Sequence, residues 1–501
     1  MRYTQFLIIT VLLMTMSGVS AQGADETNTE TSRPLGVTVH HDDVMDGYIM
    51  MTIAQNRRTL LLSRDGRIVH TWDSEFTPAY WAYMQANGTI IRAASLPNPP
   101  FGPQEPWSYM NGRVEYITLD GLVFNTVDFG NSQLYGHHDF AVLPNGNLLM
   151  LAYDRYRADA ALAAGRDPET LPEDREIHAE ALLEIDPQTG ETVWEWRVWD
   201  HLIQDFDPDL PNYGDPAQHP GRIDINYTDQ DLTSDWIHIN AVSYNTERQE
   251  ILLSPKNFNE IWVIDHSIST AEARGPAGEL LYRWGNPEAH GMGTDDDQIL
   301  FGTHNPHWIA AGLPGAGNIL LYDNGIAGER AHSRIVELIP ALDADGNYIM
   351  EPGQITQLGE LVWTYTADPP GSFFSTIMSG AQRLPDGNTL IAVGRQNRVF
   401  EVTPAGEIVW NYNLPRGARV FRAELYTYPA LAKLDVGQDL SESLGFYDTW
   451  TVSCENGQRR ALRRFLDDNA RMMDRLIERH GATRAEAAWQ LEVCTDDDEG
   501  T

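Results

Sequence analysis

Cations are scarce in this chain: 35 Lys and Arg stand against 72 Asp and Glu in 501 residues, a formal net charge of −37. A surface this acidic repels phosphate backbones, which argues against nucleic acid as a partner. The balance suits a soluble protein in a salty exterior, and an anionic substrate would have to be met by local positive charge. Cysteine is nearly absent. Only Cys454 and Cys494 occur, so one disulfide is the most that can form. Long apolar runs are missing as well. The run from Phe6 to Met16 is too short to span a bilayer. With Arg2 before it and Val19-Ser20-Ala21 after it, residues 1–21 read as a secretory signal, an uncleaved anchor being the other reading. The expected location is periplasmic or secreted, with no membrane span. Residues 22–45 are expected to be a flexible segment leading through one strand into the fold, polar from Gly23 to Ser32.

What the chain repeats is a glycine turn followed by a short strand that ends on an aromatic. It occurs as Gly66 to Trp72, Gly190 to Trp196, Gly278 to Trp284, Gly359 to Tyr365 and Gly406 to Tyr412, with a weaker copy at Gly121 to Phe124. Upstream of most copies lies a hairpin turn: Asn87-Gly88, Asn145-Gly146, Gly317-Asn318 or Asp386-Gly387. Such pairs tolerate positive φ and join antiparallel strands. A further strand sits between the two, as in Ile261 to Asp265 and Val399 to Val402. About six such units, each of roughly 40 to 90 residues, make a strand-built repeat of the kind that closes into a β-propeller. The expected fold is all-β, a six-bladed β-propeller over residues 46–430. An irregular sandwich with incidental turns is the alternative.

In a propeller the first strand of each blade lines the central channel. Three of those strands open on histidine: His138-Asp139-Phe140, His238-Ile239-Asn240 and His304-Asn305-Pro306-His307. Equivalent positions in a ring converge, so the three imidazoles are expected at one mouth. By the same count Tyr80 and Met378 occupy this position in two other blades. Asn240 and Lys256 are expected beside the ring. Two long runs, Asp154 to Glu180 and Asp200 to Ser234, interrupt neighbouring blades and read as lids or as solvated insertions. The acidic turns Asp295-Asp296-Asp297 and Asp343-Ala344-Asp345 lack the ligand count of a calcium loop. After the repeats, residues 431–501 turn helical in pattern, with Leu462, Phe465, Leu466, Met472, Met473, Leu476 and Ile477 spaced by threes and fours. Cys454 and Cys494 flank this extension, which suggests a disulfide between them in an exported protein, two free thiols being the alternative.

Asp235-Trp236-Ile237-His238-Ile239-Asn240, then Ser254-Pro255-Lys256, Thr303-His304 and Leu321-Tyr322-Asp323-Asn324-Gly325, resemble segments of the bacterial aryl-sulfate sulfotransferases in the same order. The likeness spans most of the propeller. It implies an exported six-bladed enzyme that moves a sulfuryl group between phenols through a sulfated histidine, without a nucleotide sulfate donor. No cofactor is implied, and the partners are small aryl sulfates and phenols; self-association stays open. By position the nucleophile would be His304, with His138, His238, Asn240 and Lys256 around the sulfuryl oxygens. Lys256 stands where the best-characterised members have arginine. Candidate substrate contacts are Tyr80, Trp236, Asn305, His307 and Arg395, with Trp81 and Trp308 as further aromatics. The chemistry fits the residue types: neutral imidazole is a good nucleophile, and N-sulfated imidazole a good leaving group. Two other readings remain. Converging imidazoles also suit a divalent metal in a lyase or hydrolase, with Asp139 as the nearest carboxylate. A channel mouth also suits a propeller that only binds a ligand.

Overall fold

The structure, a computed structural model, describes residues 34–434 except 55–56, 97–109, 229–231, 356–358 and 416. The expected signal, the first part of the leading segment, and nearly all of the helical extension with its two cysteines lie outside the described residues.

Six antiparallel sheets form a six-bladed β-propeller. Their inner strands are Val420–Tyr426, Thr77–Met84, Leu134–Val142, Ile239–Asn245, His304–Trp308 and Gly380–Arg383, in blades one to six, with the two-residue strand Met110–Asn111 paired on the far side of Leu134–Val142. Each of these touches the next around the ring, and the sixth touches the first, so the circle closes. Closure uses both ends of the described chain. The inner strand of blade one, Val420–Tyr426, pairs with Tyr48–Ile53 from the opposite end of the sequence. Gly36–His40 adds a fifth, outermost strand to blade six by pairing with Ile408–Asn413.

The repeated aromatics explain how blades adhere. Trp72, Trp196 and Trp284, the strand ends of blades one, three and four, are fully buried. Indoles of the outer strands donate across to the neighbouring blade: Trp196 to Gly278 O at 2.7 Å, Trp410 to Arg64 O at 2.8 Å and Trp363 to Pro404 O at 2.9 Å. Where such a bond forms, the aromatic packs its ring and satisfies its N–H at once, whereas the buried Trp72 and Trp284 hold their blades by packing alone. Buried ion pairs repeat the theme, with Glu337 holding Arg383 at 2.6 Å and Glu401 holding Arg64 at 2.5 Å. Truncating one such Trp to alanine is expected to cost about 3–5 kcal/mol.

The two long insertions are one packed unit rather than two separate flaps. Asn212 donates to Ala164 O at 2.9 Å, Asn226 to Gly165 O at 3.0 Å, and the Arg166 guanidinium to Ile225 O. The second insertion ends beside blade three, where Ser234 O accepts the His178 N–H at 2.7 Å. That docking sets the approach of Asp235 to the channel. The acidic turns hold themselves: Asp297 bonds Thr294 at 2.9 Å, and Asp343 accepts the Asp345 and Asn347 N–H groups at 2.9 Å. No helix among the described residues is long and apolar enough to cross a membrane.

Candidate functional site

The inner strands of blades one to five carry register shifts in their pairing. Within such a bulge or just before an inner strand, non-glycine residues stand at positive φ: Tyr80 at 76°, His138 at 49°, His238 at 55° and Met378 at 56°. These are four of the positions that the repeat aligns. In blade five the left-handed residue is Asn305 at 51°, one after His304, so the register there is displaced by one. Backbone of this kind is uncommon and is kept where surroundings over-determine it.

The predicted histidines do converge. The His138 and His238 rings are 4.6 Å apart edge to face, and Tyr80 lies 5.7 Å from His138. His304 lies within electrostatic reach of both His238 and Lys256, and His138 of all three. Tyr80 stacks on Phe421 at 5.0 Å, and Phe421 reaches the His304 ring edge-on at 6.3 Å. His238 is the most accessible of the three, its side chain 16% exposed, against 4% for His138 and 3% for His304 as residues.

His304 is fixed through both ring nitrogens. Nδ1 faces two acceptors, Asn324 Oδ1 at 2.7 Å and Gly302 O at 3.1 Å, so it carries the proton. Nε2 therefore holds the lone pair, and it accepts the Met378 N–H at 3.1 Å. Asn324 in turn donates to Ser375 O at 2.6 Å and Met378 O at 3.0 Å, tying the imidazole to the turn that covers it. Burial, then the Lys256 charge, pulls His304 down to about 3. It is neutral throughout the ordinary pH range.

Behind His138 stands His137, its Nδ1 2.8 Å from His138 Nδ1 and its Nε2 2.7 Å from Glu180 Oε2. Burial lowers both imidazoles well below the usual histidine range and raises Glu180 well above the usual carboxyl range. His238 Nδ1 bonds Asp235 Oδ2 at 2.5 Å, and Tyr153 donates to Asp235 Oδ1 at 2.8 Å. Burial opposes ionisation of Asp235, yet His238 and these bonds hold it well below the usual carboxylate range.

Lys256 opens a short turn after its strand, with its N–H on His238 O at 3.1 Å and its ammonium 3.3 Å from Asn257 Oδ1. Asn240 is fully buried and donates to Thr303 O at 2.8 Å, bracing the backbone before His304 rather than turning that N–H to a substrate. Asn305 likewise braces blade six, accepting the Ala381 N–H at 3.2 Å. His307 bonds its own turn at Asn305 O, and burial brings it to about 4. Trp236 lies in the core with Phe258, its indole donating to Tyr227 O at 2.8 Å. Trp81 is fully buried and Trp308 packs on a core cluster between blades four and five. Arg395 is exposed on the blade-six rim, donating to Thr376 Oγ1 at 3.2 Å. Sequence reasoning missed His137, Glu180 and Phe421. Asp139 is held by Arg422 of blade one, and among the described residues no group of three or more His, Cys, Asp and Glu is arranged to hold a metal ion.

The sequence model of the Arylsulfotransferase (ASST) family matches residues 101–409. No curated protein matches the chain. Similar solved structures include a protein of unknown function from Bacteroides caccae, 13% identical, covering 76% of this chain and 98% of its own, with a TM-score of 0.42. A putative 6-phosphogluconolactonase from Bacteroides fragilis is 10% identical, with 76% and 98% covered and a TM-score of 0.36. Virginiamycin B lyase from Staphylococcus aureus is 12% identical, with 77% and 86% covered and a TM-score of 0.33.

Proposed function

The chain belongs to the arylsulfotransferase family, and from that premise we propose that it moves a sulfuryl group from an aryl sulfate ester to a phenol through an N-sulfated His304, without a nucleotide sulfate donor. The observation that carries this reading is the state of His304: neutral, with its proton on Nδ1 and its lone pair on Nε2. In the first displacement Nε2 attacks sulfur as the bond to the aryl oxygen breaks and a phenolate departs. In the second, the acceptor oxygen attacks the same sulfur, the S–N bond breaks, and its electron pair returns to Nε2.

Charge spreads over the sulfuryl oxygens in both transition states, so fixed donors are needed around them. Lys256 supplies a cation, and His238, backed by Asp235, an N–H. The Met378 N–H, bonded to Nε2 before attack, would pass to a sulfuryl oxygen as the new bond consumes that lone pair. His138 exchanges the phenolic proton. The partly exposed Tyr80 ring, stacked on the buried Phe421, would offer an apolar face to an aryl group. With the secretory pattern of residues 1–21, the enzyme would act in the periplasm or outside the cell on small aryl sulfates and phenols.

Incubation with 4-nitrophenyl or 4-methylumbelliferyl sulfate is expected to release the chromophore, faster with added phenol, and to fail in His304→Ala. Absence of turnover over a range of aryl sulfates would overturn the reading.

A further inference from the structure

We propose that Glu180 and His137 form a proton relay behind His138, storing on a buried carboxyl the proton that phenol and phenolate exchange in the two half-reactions; this rests on the sulfuryl-transfer reading above. The geometry is a continuous line: Glu180 Oε2 to His137 Nε2 at 2.7 Å, then His137 Nδ1 to His138 Nδ1 at 2.8 Å. Its members are held from the sides. Glu180 Oε1 accepts the Ile239 N–H at 2.9 Å, and Tyr153 stacks on His137 with ring centroids 3.7 Å apart and planes 9° from parallel. Both His137 and Glu180 are fully buried, where water cannot supply or remove protons directly.

The line has two protonation states. In the first, Glu180 is a carboxylic acid donating to His137 Nε2, His137 Nδ1–H donates to His138 Nδ1, and His138 carries its proton on Nε2. When a phenolate leaves, it takes that Nε2 proton. The Nδ1–H of His137 crosses to His138, the Glu180 proton crosses to His137 Nε2, and a carboxylate remains. In the second half-reaction the acceptor phenol gives its proton to His138 Nε2 as its oxygen attacks sulfur, and both internal protons return. Every proton lost in the first step is recovered in the second. The only charge that changes within the line sits on Glu180, and neither imidazole becomes cationic. Burial keeps both histidines neutral and favours the first state, with Glu180 as its acid, so the line tends to recover its protons in the second half-reaction.

Glu180 and His137 are thus positioning residues that act through His138, and leaving-group dependence tests them. Nitrophenolate departs without a proton, whereas the phenolate of unsubstituted phenyl sulfate needs one. Glu180→Gln keeps the shape and removes the proton store. Its first-turnover rate is expected to fall by roughly 10²-fold or more with phenyl sulfate, and by only a few-fold with 4-nitrophenyl sulfate. Equal losses with both donors, or no loss with either, overturn the relay. A wild-type protein inert toward both donors overturns the sulfuryl-transfer reading itself, and the relay with it. Should Glu180→Gln fail to fold, the wild-type rate with phenyl sulfate in mixtures of light and heavy water decides. A bowed dependence on deuterium fraction is the expected result of several protons moving together, and a straight line overturns it.

Discussion

Because burial and Lys256 bring His304 to about 3 from the ordinary 6.5, acidification should leave its nucleophilicity intact. With the ordinary value, about 3% of the imidazole would be neutral at pH 5 against about 90% at pH 7.5, a loss of roughly 30-fold in attack rate. With the site's value, about 99% is neutral at pH 5 and attack hardly slows. The assay is the pre-steady-state burst of 4-nitrophenol from 4-nitrophenyl sulfate, quenched and read at alkaline pH. This donor isolates the attack, since its leaving group needs no proton. A burst rate constant within about twofold between pH 7.5 and 5 is expected, with circular dichroism confirming the fold at each pH. A decline of roughly 30-fold centred near 6.5 would show that the nucleophile is an ordinary, solvated imidazole and would refute the reasoning from burial.

Removing the cation by Lys256→Ala should lower the burst rate about 10²–10³-fold, while Lys256→Arg keeps most of it; equal rates in all three proteins would remove Lys256 from the transition state. Stability should fall in mild acid. His290, brought to about 2, His304, to about 3, and His201 and His307, each to about 4, take protons only in the unfolded chain as pH drops below 6.5. Each is then expected to cost about 2 kcal/mol by pH 5. Asp224, raised to about 6, works the other way by roughly 1 kcal/mol. Urea midpoints that match at pH 7 and pH 5 would contradict this. Arg422→Ala strands the buried Asp139 carboxylate between blades one and three, so a loss of about 3–5 kcal/mol is expected in the same assay, and a loss below about 1 kcal/mol would count against the pair as a clamp.

The blades were legible because each outer strand must present an aromatic to its neighbour, so the Gly-to-aromatic phrase is written into nearly every copy. The ring of histidines followed from that repeat, but its detail did not. The bulge in blade five shifts the left-handed residue from His304 to Asn305, which alignment by letters cannot reveal. Phe421 and Arg422 were missed because blade one takes its inner strand from Val420–Tyr426, far from its other three. The sequence's end-to-end closure leaves no local mark. Glu180 and His137 escaped for another reason: neighbours in a regular strand face opposite ways, and only the bulge between Gly136 and Phe140 lets His137 and His138 meet. Trp236, Asn240 and Asn305 show the converse. Polar or aromatic residues beside a channel are also those that brace it, and their letters do not distinguish the roles.

The central claim is a covalent bond between His304 and sulfur. Mixing the protein with excess 4-nitrophenyl sulfate without acceptor, quenching at mild alkaline pH and mapping peptides by mass tests it directly. The expected result is one added sulfuryl group on the peptide containing His304, discharged by phenol and missing from His304→Ala. Chromophore release with no adduct on that peptide, or an adduct that persists in His304→Ala, would contradict it.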